Sequence, residues 1–214
     1  MGEIFVDGID DYVQGLLPER DEVLRDMEDQ ALHRRIPIVG PAVGRFFYQL
    51  AQMVGAESVF EMGSAIGYSS IWWARAVGEA GRVVYTDGDP KNAEEARGYF
   101  QRAGVADRIQ LRTGDALELL SEEKHQFDII FCDVDKDDYL RALKLATPRV
   151  RKGGLFVADN TLWHGRVIAP PGSQEAEMPT TKAVLEFNRA LNSSKEFFTT
   201  LLPLRDGVSV ALKL

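Results

Sequence analysis

Apolar residues recur at helical spacing through the first fifty-odd positions. Leu16, Leu17, Val23, Leu24, Met27, Ala31 and Leu32 form one stripe; Val43, Phe46, Phe47, Leu50 and Met53 form a second beyond Pro37 and Pro41. Such stripes predict helices laid on a larger core. From Ser58 onward the pattern becomes short apolar runs separated by longer helical stretches. Residues 58–62, 82–87, 109–113, 127–133 and 155–158 read as strands. Helices are predicted over 68–77, from Pro90 to about Ala103, from about Asp138 to Val150, and over 181–191. Strands alternating with helices imply a parallel sheet covered on both faces. The tail departs from that rhythm. Runs 197–202 and 208–212 are joined by a turn containing Asp206-Gly207, too short for a parallel crossover, so they must pair antiparallel. The expected architecture is α/β and Rossmann-like: a mostly parallel seven-stranded sheet with a C-terminal antiparallel hairpin and an N-terminal helical cap. Residues 1–214 read as a single domain, with 1–55 as the cap and 56–214 as the core.

Composition narrows the class. A chain of 214 residues, 45% hydrophobic and 27% charged, suits one globular domain rather than two. Its formal charge of -8 disfavours nucleic-acid binding except through a local basic patch, for which Arg34-Arg35 and 149–152 are the small candidates. No apolar run is long enough to span a bilayer, and Met1 to Asp11 carries acids where a signal peptide would be basic. The lone Cys132 can build neither a disulfide framework nor a zinc site and reads as a small core residue. A cytoplasmic protein is expected.

The informative feature is where the acids fall. Ligands of open α/β sheets bind outside the carboxyl ends of the strands. Four strands end there in an acid: Glu61, Asp87, Asp133 and Asp159. Negative charge gathered along one edge needs an offset, such as ribose hydroxyls, a sulfonium or ammonium group, or a metal ion. The first turn, Glu61-Met62-Gly63-Ser64-Ala65-Ile66-Gly67-Tyr68-Ser69, lacks the middle glycine of the dinucleotide fingerprint, which disfavours a nicotinamide oxidoreductase. Asp87 stands where an acid can accept both hydroxyls of a ribose. Asp133, Asp159 and Asn160 supply only oxygen atoms, a donor set for Mg²⁺, Mn²⁺ or Ca²⁺. Asp137 and Asp138 read as a solvated helix start, and His164 is the one histidine close to these groups.

Residues 61–69, 85–89, 131–139 and 159–167 together resemble the cation-dependent O-methyltransferases, the family of caffeoyl-coenzyme A and catechol O-methyltransferases and many bacterial relatives. The resemblance runs from about Ile38 into the tail, and Asp-x-Asp-Lys with Asp-Asn-x-x-Trp carries its specificity. It implies the S-adenosylmethionine methyltransferase version of the fold. It places cofactor contacts on Glu61, Gly63, Ser69, Asp87 and Ala116, with Val39 and Asp135 as weaker candidates. Metal ligands fall on Asp133, Asp159 and Asn160, the general base on Lys136, and substrate contacts on Trp163 and His164. The implied reaction moves a methyl group from S-adenosylmethionine to a hydroxyl of a small phenolic or catechol-like acceptor, with a divalent cation, Mg²⁺ first. A homodimer is the family's implication. Ala65-Ile66 and Ala42-Val43 depart from the family's usual residues and touch the pocket wall. Residues 169–180 read either as a specificity loop or lid, or as an unstructured connector. The alternatives are a relative acting on hydroxyuridine in tRNA, the nicotinamide oxidoreductase, and a non-catalytic cofactor-binding module.

Overall fold

The computed structural model describes residues 8–214; the first seven residues of the predicted cap, with most of the acidic N-terminal stretch, lie outside the described residues. Three helices open the chain: α1 (Ile9–Gly15), α2 (Glu22–Arg34) and α3 (Gly40–Met53). Helix α2 starts where the Asp21 carboxylate accepts the backbone N–H groups of Val23 and Leu24, a side-chain N-cap. There follow β1 (Ser58–Met62), α4 (Tyr68–Ala76), β2 (Arg82–Asp87), α5 (Pro90–Arg102), β3 (Ile109–Thr113), α6 (Ala116–Glu122), β4 (Phe127–Cys132), α7 (Tyr139–Ala146) and β5 (Val150–Ala158). The tail adds α8 (Gln174–Glu177), α9 (Pro179–Asn192), β6 (Phe197–Leu202) and β7 (Val208–Lys213).

The seven strands lie in the order β3-β2-β1-β4-β5-β7-β6. The first five are parallel; β7 pairs antiparallel with both β5 and β6. Side chains alternate across the central strands. Val59, Ile129 and Phe131 enter one apolar layer with α2 to α5, while Phe60, Met62, Ile130 and Cys132 enter the other with α6, α7 and α9. Cys132 is fully buried, and burial pushes its thiol up to about 12. Helices α2 and α3 share the first of these layers with α4 and α5. Phe47 of α3 stacks on Trp73 of α4 with ring centroids 4.4 Å apart. The helices can approach so closely because Gly44 carries no side chain: a Cβ there would meet the Trp72 indole at 2.3 Å.

Three boundaries differ from the sequence reading. Helix α6 (Ala116–Glu122) lies in a stretch to which periodicity assigns no element. It is started by the Asp115 carboxylate, which accepts the Glu118 N–H at 2.8 Å, and held by buried Leu117 and Leu120. Helix α7 stops at Ala146, where Thr147-Pro148-Arg149 makes a 3₁₀ turn, because Pro148 cannot continue the helix. Strand β5 begins at Val150, not Leu155, and runs through Lys152-Gly153-Gly154 with a shift of register against β4. Gly153 adopts φ 75°, and a Cβ on Gly154 would lie 2.6 Å from the Asp128 carbonyl oxygen. The two glycines that read as a break are what let the strand continue past that irregularity.

Candidate active site

Strand order reverses between β1 and β4, and outside their carboxyl ends lies a cleft of about 720 Å³. Its floor on one side is the β1–α4 turn. A Cβ on Gly63 would stand 2.5 Å from the Asp133 carbonyl oxygen, so glycine is what allows the turn to lie against the end of β4. The turn is tied to β2 as well: Ser64 N–H donates to the Thr86 carbonyl at 2.9 Å, and Ala65 N–H to Asp87 Oδ2 at 2.9 Å. Asp87 Oδ1 accepts the Asp89 N–H and the Asn92 carboxamide at 2.8 and 3.0 Å. The carboxylate is therefore rigidly mounted on the cleft wall; Oδ1 has both lone-pair directions engaged, and Oδ2 keeps one for a further donor.

Glu61 lies behind this turn with no exposed surface and is not among the residues lining the cleft. Its Oε2 accepts the Ser70 hydroxyl, while Oε1 has no protein partner. Burial pushes its pKa up to about 7, against the opposing pull of the Ser69, Ser70 and Ser64 hydroxyls.

On the other side the ends of β4 and β5 bring the second group of acids together. Asp133 N–H donates to the Met62 carbonyl and Asp159 N–H to the Cys132 carbonyl, so each acid leaves its strand in step with the neighbouring strand. Asp159 is almost completely buried, and its Oδ1 has no partner. Burial raises the pKa values of both acids, and repulsion by Asp133 adds to the rise at Asp159; Lys136 and Arg205 act against it. Lys136 is buried as well. Its Nζ donates to Asn160 Oδ1 at 3.0 Å, lies 3.4 Å from Asp133 Oδ1, and donates to the Tyr139 hydroxyl, which in turn donates to the Asp159 carbonyl at 2.9 Å. Arg205 Nη1 is 3.5 Å from Asp159 Oδ2.

Among the described residues no three His, Cys, Asp or Glu side chains converge as a metal-holding group; the third oxygen of this set is the Asn160 carboxamide. The set nonetheless fits a hard divalent cation. It has two carboxylates that burial and mutual repulsion disfavour as anions, one buried oxygen without a partner, and a cationic amine already drawn among them.

Of the residues singled out from the sequence, Gly63, Asp87, Asp133, Asp135, Lys136, Asp159, Asn160, Trp163 and His164 line this one cleft. Glu61, Ser69, Ala116 and Val39 are buried and are not among its lining residues, Ala116 at the start of α6 and Val39 at the N-terminus of α3. Several lining groups escaped the sequence reading: Ile36, Pro37 and Ile38 opposite the acids, Asn92, Thr180 and Arg205. Thr180 Oγ1 and Trp163 Nε1 are buried without hydrogen-bond partners. Two signals bore on the missed groups: the stretch 169–180, read as a specificity loop or a connector, ends at Thr180, and the turn containing Asp206-Gly207 adjoins Arg205. Tyr139, which holds the lysine, read as an ordinary helix residue. The stretch 169–180 carries α8, capped by the Ser173 hydroxyl, and the start of α9.

A family profile described as O-methyltransferase matches residues 17–214. A catechol O-methyltransferase of Niastella koreensis is 31% identical, over 99% of this chain and 99% of its own. Caffeoyl-CoA O-methyltransferase 1 of Eucalyptus globulus is 35% identical, over 80% of this chain and 72% of its own. Among solved structures, the O-methyltransferase of Bacillus cereus in complex with SAH superposes with a TM-score of 0.85 at 30% identity, covering 97% of each chain.

Proposed function

The chain belongs to the O-methyltransferase family, and from that premise we propose that it methylates a hydroxyl of a small catechol-like or phenolic acceptor, with a divalent cation held by Asp133, Asp159 and Asn160. The observation that carries the reading is the meeting in one cleft of a mounted carboxylate suited to a ribose, Asp87, with an all-oxygen acidic group beside an amine, Lys136. When bound, S-adenosylmethionine supplies an electrophilic methyl group, and the cation supplies positive charge for paired acceptor oxygens. The bound SAH of the Bacillus cereus relative supports the choice of cofactor.

The chain's own residues do the rest. Asp87 accepts a ribose hydroxyl at Oδ2, and Gly63 keeps the β1–α4 turn against the end of β4. With S-adenosylmethionine bound, Lys136 Nζ would take the proton of the acceptor hydroxyl as that oxygen received the methyl group, with S-adenosylhomocysteine as the leaving product. Tyr139 holds the amine over the Asp133–Asn160 gap. Trp163, Ile36, Pro37 and Ile38 add apolar wall to the same cleft.

A small acceptor is favoured over tRNA because the candidate basic clusters are largely engaged. Arg34 pairs with Glu95, Arg149 donates to the carbonyls of Ser121, Glu123 and Leu145, and Arg151 pairs with Asp128. No helix among the described residues is long and apolar enough to cross a membrane.

The test is transfer of labelled methyl from S-adenosylmethionine to a panel of catechols and to tRNA, with Mg²⁺, with Mn²⁺ and with excess chelator. Transfer to catechols that stops in chelator is expected. Full activity in chelator would overturn the cation reading, and labelling of tRNA alone would overturn the acceptor. In parallel, S-adenosylhomocysteine should raise the melting temperature where NAD does not. Asp87→Ala should remove most of that gain, since hydrogen bonds to a carboxylate are worth about 1.5–3 kcal/mol.

A further inference from the structure

Asp206 follows Arg205 in the β6–β7 turn, 46 residues from Asn160 in sequence, and is not among the residues lining the cleft. Its side chain is only 10% exposed and accepts two hydrogen bonds from the segment that follows β5. Oδ1 takes the His164 backbone N–H, and Oδ2 takes the Asn160 carboxamide Nδ2 at 3.1 Å. The two turns are pinned together besides: Thr161 N–H donates to the Gly207 carbonyl at 3.0 Å and Leu162 N–H to the Asp206 carbonyl at 2.9 Å.

A carboxamide has an oxygen face and an NH₂ face of nearly equal shape, so only its partners decide which way it points. Asn160 stands between a carboxylate and an ammonium. With Nδ2 toward Asp206 and Oδ1 toward Lys136 Nζ, both contacts are attractive. Turned over, the carboxamide would set oxygen against carboxylate and NH₂ against ammonium. Lys136 orients the group only while its amine remains there. Asp206 orients it from outside the cleft, whatever occupies the cleft. Asn160 also holds φ at 50°, a backbone state that a side-chain anchor helps to maintain.

We propose that Asp206 is a positioning residue that locks the Asn160 carboxamide with its oxygen facing the acid pair, and so makes Asn160 a cation ligand instead of an NH₂ group that would repel one. The inference rests on the cation reading above.

Its test is Mn²⁺ binding to the purified protein without acceptor, read from the spin-resonance signal of free Mn²⁺, beside the melting shift given by S-adenosylhomocysteine. Asp206→Ala should weaken Mn²⁺ binding about 10- to 100-fold while the S-adenosylhomocysteine shift persists. Asp206→Asn is isosteric and can keep the His164 contact, but it then offers NH₂ to Asn160 and favours the wrong face; it should weaken Mn²⁺ by a similar factor with the fold intact. The deciding arm is the Asn160→Asp background. A carboxylate presents oxygen whichever way it turns, and removing Asp206 there also removes a repulsive neighbour. Asp206→Ala should therefore leave Mn²⁺ affinity unchanged or improve it in that background. An equal penalty in both backgrounds would show that Asp206 only props the turn. Wild-type affinity in Asp206→Asn would likewise overturn the proposal. Absence of Mn²⁺ binding by the unaltered protein would instead bring down the cation reading, and this inference with it.

Discussion

Asp128 and Asp133 belong to opposite ends of the same strand, and the same side chain does opposite things there. Asp128, near the start of β4, has a side chain 14% exposed, and Asp133, just past its end, 25%. By exposure alone Asp128 should be the more perturbed upward. Burial does push its pKa up, but four donors outweigh it and hold the group below the usual range: the Arg151 guanidinium, the Ser58 hydroxyl, and the backbone N–H groups of Glu57 and Ser58. At Asp133 burial prevails over Lys136, and its neighbour Asp159 keeps a buried oxygen with no partner. One end of the sheet is electrostatically finished. At the other, burial outweighs the partners that the chain supplies. Backbone strain follows the same division: five of the six non-glycine residues with positive φ among the described residues, Ala65, Asn160, Trp163, His164 and Arg205, line the cleft. Burial of a charge is thus a poor guide to function by itself; what matters is whether its partners are already in the chain.

The largest expected effect removes the one amine at the unfinished end. Lys136→Ala should lower the maximal rate of methyl transfer about 10²–10⁴-fold, with the S-adenosylhomocysteine melting shift unchanged. Lys136→Arg should not restore it, because a guanidinium stays protonated. Near-normal turnover of the arginine variant in a steady-state assay would reduce Lys136 to a fixed charge.

Next in size is the pH dependence of stability. Glu61 has a folded pKa of about 7 against an ordinary value of 4.5. Between those values the native state holds a proton that the unfolded state has lost, so stability falls as pH rises through the window and levels off above it. The ligand-free protein should therefore be more stable toward denaturant near pH 5 than near pH 8, by at most about 3 kcal/mol from this group. Glu61→Gln should flatten that slope; a slope identical in the variant would assign it elsewhere. Asp128 has the opposite sign, since its depressed pKa contributes stability that is lost only as pH falls through the folded value.

Neutralising one acid at each end sharpens the contrast further. Asp128→Asn strands Arg151 and should cost about 1.5–3 kcal/mol in denaturant unfolding. Asp159→Asn, in protein without added cation, removes a repulsive buried charge and should change stability by less than about 1 kcal/mol, in either direction, while abolishing cation-dependent turnover. Equal destabilisation by both would mean that the two ends do not differ as described.

Much of this was legible in one dimension. Alternation and strand length located the seven strands, and the short link before β7 required the antiparallel hairpin. The acids Asp87, Asp133 and Asp159 were visible as strand-end residues, and with Asn160 and Lys136 they do line one cleft. Those features are local: which face a residue takes, and whether it ends a strand, depend on its near neighbours in sequence. The tertiary structure decided everything that depends on distant partners. It buried Glu61, Ser69, Ala116 and Val39, carried β5 through Gly153-Gly154, and brought Ile36, Pro37 and Ile38 into the lining of the cleft. It placed Arg205 and Asp206 beside Asp159 and Asn160, 46 residues away. It also made Asp128 a satisfied anchor and left one buried oxygen of Asp159 without a partner, because a carboxylate's charge is stabilised through space by donors whose positions along the chain carry no periodic trace.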